Sequence, residues 1–187
     1  MSAVARSPFV VRLERRFLRF AATILFVIGG VFLGVALFSG GDGARNEMSV
    51  CFDHGKDPGA DSYGKLTFDT QSGGSVFHVE IMTSPCRLAR GLMSRRSLEA
   101  DWGMAFSLGS LQPAAMWMKD TLIPLDMIFV ANGKVVSVSA DQVPLSEKMV
   151  VSREPVDLVV EVNAGMARKF GIVAGTSVKL GAQKSEF

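Results

Sequence analysis

The sequence predicts a mainly β (α+β) fold: a small antiparallel sheet, curled or barrel-like, with two short helices, preceded by one N-terminal hydrophobic helix. Three observations carry this. After residue 64 the apolar residues fall in short runs separated by Gly, Pro and Asn turns. Asn132-Gly133 stands between two such runs, the strongest short hairpin signal a sequence can carry. Helix start and stop signals occur at only two places in the same region.

The elements follow in order. Residues 65–69 and 75–82 read as strands around the Gln71-Ser72-Gly73-Gly74 turn. In the second, Phe77, Val79 and Ile81 form the core face, and Val76, His78, Glu80 and Met82 the other. Thr83-Ser84-Pro85 starts a short helix over 86–91, with proline in its first turn and glycine at its end. A loop over 94–103 leads to strands at 104–108, 115–118, 126–131, 134–139 and 158–162. Asn163-Ala164-Gly165 opens a second helix through Lys169, and a last strand covers 177–180. Pro124 cannot donate to a sheet ladder, so 122–125 is expected as an extended loop delivering Asp126 to a strand.

The first 64 residues are of another kind. Residues 1–19 hold five arginines against the single acid Glu14 and precede an uncharged run over 20–38. Nineteen helical residues reach about 28 Å, close to a hydrocarbon core of roughly 30 Å. The arginine excess is expected to keep 1–19 in the cytoplasm and send the rest across the cytoplasmic membrane. The domain is then expected in the periplasm, on a single-pass anchor, or secreted if 20–38 is a cleaved signal peptide. Residues 39–64 are Gly-rich and aperiodic and read as a flexible linker, 65–181 as one globular domain, and 182–187 as a tail.

The formal net charge of +2 conceals an asymmetry: the first forty residues contribute +4, leaving −2 for the remainder. With no basic run beyond residue 40, nucleic-acid binding lacks its electrostatic footprint. The two cysteines, Cys51 and Cys86, allow a disulfide in an oxidising compartment, against a buried free Cys86 as the competing reading.

Three stretches stand out together: Arg90-Gly91-Leu92-Met93-Ser94-Arg95; Gly103-Met104-Ala105-Phe106; and Trp117 to Asp126, reading WMKDTLIPLD. With Glu161-Val162-Asn163-Ala164-Gly165 they resemble the bacterial and archaeal family of domains of unknown function numbered 192, over about residues 77–180. The sequence departs from the family pattern at Asp120, where Asn is usual, and Ala105, where Leu is usual. The resemblance implies a domain and no particular reaction.

Within it, Arg90, Arg95, Trp117, Lys119, Asp126 and Glu161 form the candidate ligand-binding set. The cations suit an anionic small ligand, Trp117 a stacking face, and the carboxylates the orientation of the cations. A structural alternative pairs Arg90 with Asp126 and Glu161 inside the domain. Glu161 is merely solvated if Val160 and Val162 take the core face. Two further readings remain: a carboxylate-dependent enzyme using Asp126 and Glu161, and a copper-handling protein using Met116, Met118 and His78, which requires both methionines exposed within reach of the histidine. No cofactor is implied, no catalytic residue is assigned, and the expected partners are the membrane through 20–38 and a small anionic ligand or an envelope protein.

Overall fold

The computed structural model describes residues 25–27, 32–34, 59–71 and 73–183. Most of the apolar run 20–38, all of 1–19 and most of the linker lie outside them. Two pieces of that run, β1 (Leu25–Val27) and β2 (Phe32–Gly34), pair antiparallel, and the expected helix over 20–38 lies for the most part outside the described residues. Among the described residues, no helix is long and apolar enough to cross a membrane.

The domain is a closed seven-strand barrel with two short helices, as the sequence predicts. Its strands are β3 (Ser62–Thr70), β4 (Gly73–Met82), β5 (Trp102–Gln112), β7 (Leu125–Ala131), β8 (Lys134–Gln142), β10 (Val156–Asn163) and β11 (Ser177–Gln183), in the order β10-β5-β4-β3-β11-β8-β7. The first strand begins three residues before the expected boundary, and the last runs into the expected tail. All neighbours are antiparallel except β4 and β5, which run parallel. α1 (Pro85–Arg90) lies on the crossover between those two. A two-strand sheet of β6 (Ala115–Met116) and β9 (Val150–Val151) stands apart from the barrel. The β7–β8 turn is the expected Asn132-Gly133 pair, with φ 50° and 72°, values of the turn type whose twist matches a hairpin.

Two apolar cores form on opposite faces of the same strands. Leu66, Phe68, Phe77, Val79, Ile81, Ala105, Ile128, Val130, Val160 and Val162 fill the barrel. α2 (Met166–Phe170) lies against that interior, with Ala167 buried and the Phe170 ring edge-on to Phe77 at 5.4 Å. The second core is Met82, Leu92, Met104, Phe106, Met116, Met118, Ile123, Leu125, Met127, Phe129 and Val159 with its neighbours, outside the wall made by β5, β10 and β7. Its cover is α1, the 91–101 loop and the arm over 113–124. Ser94 N–H donates to Asp120 O at 2.8 Å, joining loop to arm, and Asn163 Nδ2 donates to Leu98 O and Glu99 O at 3.0 Å, holding the loop to β10. Gly103 marks how closely the wall is built, because a Cβ there would stand 2.8 Å from Glu161 O on β10.

Candidate functional site

Glu161 lies on β10 between Val160 and Val162, both of which face the barrel interior as the alternation requires. It is not solvated. The outer face onto which it points carries the second core, and Glu161 is only 4% exposed. Across the ladders its register partners are Met104 on β5 and Met127 on β7, both fully buried. Directly opposed residues share a face, with Cβ atoms about 4.5–5.5 Å apart. The carboxyl group therefore stands between two thioether side chains. Burial pushes its pKa up to about 8, desolvation of the charged form being the cause. Ionising it in place costs about 5 kcal/mol, from the shift between 4.5 and about 8.

The next carboxyl on that face is differently served. Glu80 on β4 is also a register partner of Met104, so Glu80, Met104, Glu161 and Met127 form one row across four strands. Arg95 grips Glu80 with two parallel bonds, Nη1 to Oε1 at 2.5 Å and Nη2 to Oε2 at 2.7 Å. Arg95 is thus committed to a carboxyl group of the protein itself.

Asp126 is fully buried, and its place overturns two expectations. Its register partner is Val162, so it belongs to the opposite face of the wall from Glu161. Each of its oxygens accepts from the backbone: Asp141 N–H at 2.8 Å and Ala167 N–H at 2.9 Å. Ala167 is in the first turn of α2, whose N-cap position is Gly165 and receives no side-chain cap, so Asp126 caps that helix from another strand. Asp141, at φ 53°, sits where the β7–β8 register shifts. Backbone donors, in place of an arginine fork, satisfy Asp126. The sheet also separates it from Glu161, so the expected grouping of Arg90, Asp126 and Glu161, and the carboxyl pair of the enzyme reading, do not form. The cause is register: residue 126 is in phase with 162, one residue out of phase with 161.

The other expected site residues are on the outer side. Arg90 is buried and engaged at the end of α1. Lys119 Nζ stands 5.2 Å from the Trp117 ring centroid, a cation–π arrangement, and Trp117 Nε1 is buried without a hydrogen-bond partner among the described residues. Met116 and Met118 are each 1% exposed, in the second core, while His78 stacks on Trp102 at 5.5 Å on β4. The condition set for a copper site at Met116, Met118 and His78 was exposure of both methionines, and the structure buries them. Cys86 is disulfide-bonded, which replaces the reading of a free buried thiol; the other cysteine of the chain, Cys51, lies outside the described residues. Among the described residues no three His, Cys, Asp or Glu side chains converge as a metal site.

Sequence reasoning missed Asp61, which precedes the expected domain. Its carboxyl accepts from Thr83 N–H at 2.6 Å and Ser84 N–H at 2.9 Å and pairs with Arg87, so it holds the start of α1. Burial alone would raise its pKa, yet these N–H groups and the guanidinium together draw it well below the usual carboxylate range. A recess of about 270 Å³, lined by Ser107, Gly109, Gly133, Asp157 and their neighbours, opens at the barrel end away from α2 and contains none of the expected site residues.

Fold and site define a small β-barrel domain with a second, methionine-rich layer over one wall and a buried carboxyl group beneath it. The sequence profile of family DUF192, described as Uncharacterized ACR, matches residues 67–180, and the chain belongs to that family. It is similar to a solved protein of Sinorhizobium meliloti 1021 described as a candidate transcription regulator, with 37% identity and a TM-score of 0.63 over 67% of this chain and 98% of that one. It is also similar to a solved protein of unknown function from Novosphingobium aromaticivorans DSM 12444, with 35% identity and a TM-score of 0.60 over 62% of this chain and 83% of that one. No curated protein matches the chain.

Proposed function

We propose that this chain is a non-catalytic binding module, carried outside the cytoplasmic membrane by its 20–38 segment, whose ligand enters the covered layer around Glu161. The observation that carries the reading is the place of Glu161, 4% exposed and in register between the buried Met104 and Met127, where burial raises its pKa. An ionisable group buried in an apolar layer is costly, and such groups concentrate at sites that serve something other than stability. Trp117 Nε1, between Met116 and Met118 in the chain, is the buried side-chain polar atom without a hydrogen-bond partner among the described residues. With Arg95 held by Glu80 and Asp126 on the other face, the ligand meets a neutral acid and thioethers, so the anionic ligand of the first reading is the weaker expectation.

The location rests on the arginine-flanked apolar run, and the Cys86 disulfide supports it, because disulfides persist in oxidising compartments. The transcription-regulator description of the S. meliloti relative is not carried over. Residues 59–183 hold twelve Lys or Arg and twelve Asp or Glu, a balance that does not favour a polyanion.

The test is a thermal-shift screen of the chain from residue 45 onward against metals, saccharides and small polar metabolites, in parallel with Glu161→Gln. A ligand at a hundred times its Kd adds about 2.7 kcal/mol. The reading expects a stabilising ligand whose effect is lost in Glu161→Gln; stabilisers that act equally on both proteins count against it. A periplasm-dependent phosphatase fused to the C-terminus is expected to be active in cells, and an inactive fusion contradicts the location.

A further inference from the structure

We infer that the open end of the barrel is a binding site for a small organic ammonium ion with an apolar body, whose charged head is received by Asp157. This site is separate from the layer around Glu161 and does not depend on it. The recess of about 270 Å³ is an unfilled end of the barrel interior. Val130, Leu158 and Val178, which line it, belong to the interior core. Ser107 lies two residues beyond the inward-facing Ala105 on the same strand and takes the same face. Leu180 stands opposite the fully buried Leu66 and shares its inward face, yet it is 37% exposed. An inward leucine left open marks interior that the neighbouring side chains do not fill.

Strand register explains the opening. β11 pairs with β3 along its whole length but shares only the register pair Ser177–Lys134 with β8. Beyond Val178, whose N–H donates to Gly133 O, that edge of β11 has no neighbouring strand among the described residues. Across the barrel, the β5–β10 ladder steps from Ser107–Leu158 to Gln112–Val156, five residues on one strand against two on the other. The irregular stretch contains Gly109 at φ 76°, where a Cβ would meet nothing within 4 Å, and it leaves Asp157 between the two steps, lining the recess. Bulges of this kind gather at barrel rims and re-aim side chains there.

The lining defines the ligand. Its walls are apolar, and among the described lining residues Asp157 alone is ionisable. The two oxygens of Asp157 share one donor, Asn132 N–H, at 3.2 and 3.3 Å, and among the described residues no lysine or arginine pairs with it. A carboxylate has about four acceptor sites, so most of its capacity is open to a ligand. Ammonium N–H groups form charge-assisted bonds with it, and apolar walls strengthen them, whereas an anion is repelled. At about 30 Å³ per water the recess has room for a body on the order of nine non-hydrogen atoms. Barrel mouths that combine an apolar lining with a few polar groups are a usual place for such ligands.

The experiment is a methyl NMR titration of the full chain, in nonionic detergent, with phenethylamine, beside 2-phenylethanol and phenylacetate, which keep the ring and change the head. The expected result is saturable movement of the Val130, Leu158, Val178 and Leu180 methyl resonances by the amine, with a Kd at or below about 1 mM. The alcohol is expected to bind at least about tenfold more weakly and the carboxylate not at all. Asp157→Asn keeps an acceptor for Asn132 N–H and is expected to bring the amine to the affinity of the alcohol. No saturable movement of these methyls by the amine, equal affinity for amine and alcohol, or unchanged amine affinity in Asp157→Asn would each overturn the inference. Movement confined to methyl groups of the second core overturns it as well, and returns the ligand to the layer around Glu161. The wild-type comparison of the three head groups decides the question even if the variant does not fold.

Discussion

Asp126→Ala separates a structural from a chemical role for a family motif residue. The substitution leaves two backbone donors, Asp141 N–H and Ala167 N–H, without their acceptor at a position with no solvent exposure. Each buried donor left unsatisfied costs about 1–3 kcal/mol, so the loss is about 4 kcal/mol in total, including the helix cap that Ala167 N–H represents. Asn keeps one acceptor oxygen and turns an amide N–H₂ toward the second donor, so Asp126→Asn is expected to lose about half as much. The assay is urea unfolding of the chain from residue 45 onward, a unit that contains every strand of the barrel. A loss under about 1 kcal/mol for Ala would refute the assignment and return Asp126 to the list of functional carboxyls.

Other predictions follow from the same contacts. Because the Glu161 pKa is raised on folding, the protein holds that proton when the unfolded chain has lost it; stability is fully present below pH 4.5 and declines until about pH 8. Unfolding free energy is therefore expected to fall by about 3 kcal/mol from pH 5 to pH 7, and Glu161→Gln to remove that part of the slope. Asp61→Ala should cost about 1–2 kcal/mol by uncapping α1; the Asp61 pKa being lowered on folding, its contribution is present above the ordinary carboxylate range and lost toward strongly acid pH, which acid unfolding of both proteins will show. Gly103→Ala forces a Cβ against the β10 backbone and is expected to cost about 1–3 kcal/mol by thermal unfolding. Non-reducing peptide mapping is expected to find Cys86 joined to Cys51, and reduction to lower the Tm; closing a loop of that length is worth about 3–4 kcal/mol.

The barrel was legible because its signals are local. Alternation in 75–82 set the core face of β4, and Asn132-Gly133 set one hairpin. Asp126 and Glu161 were legible as residues to question, but their roles depend on a register between β7 and β10 that no local signal states. The second layer was readable in part. Leu125 to Val130 is apolar in all but one position, and Leu158 to Val162 likewise, whereas a wall with one wet face alternates. That continuity signalled cover on both faces, and with it a buried Glu161. The Arg95–Glu80 fork and the capping by Asp61 join residues 15 and 22 or more positions apart, beyond any period in the sequence.

The central claim, that Glu161 is an acid whose pKa burial raises, is tested most directly by a carbon-13 titration of the glutamate side-chain carboxyls by NMR. One glutamate is expected to titrate near pH 8, with its resonance absent in Glu161→Gln. If every glutamate titrates in the ordinary range around 4.3, Glu161 is solvated or paired, and the site described around it does not exist.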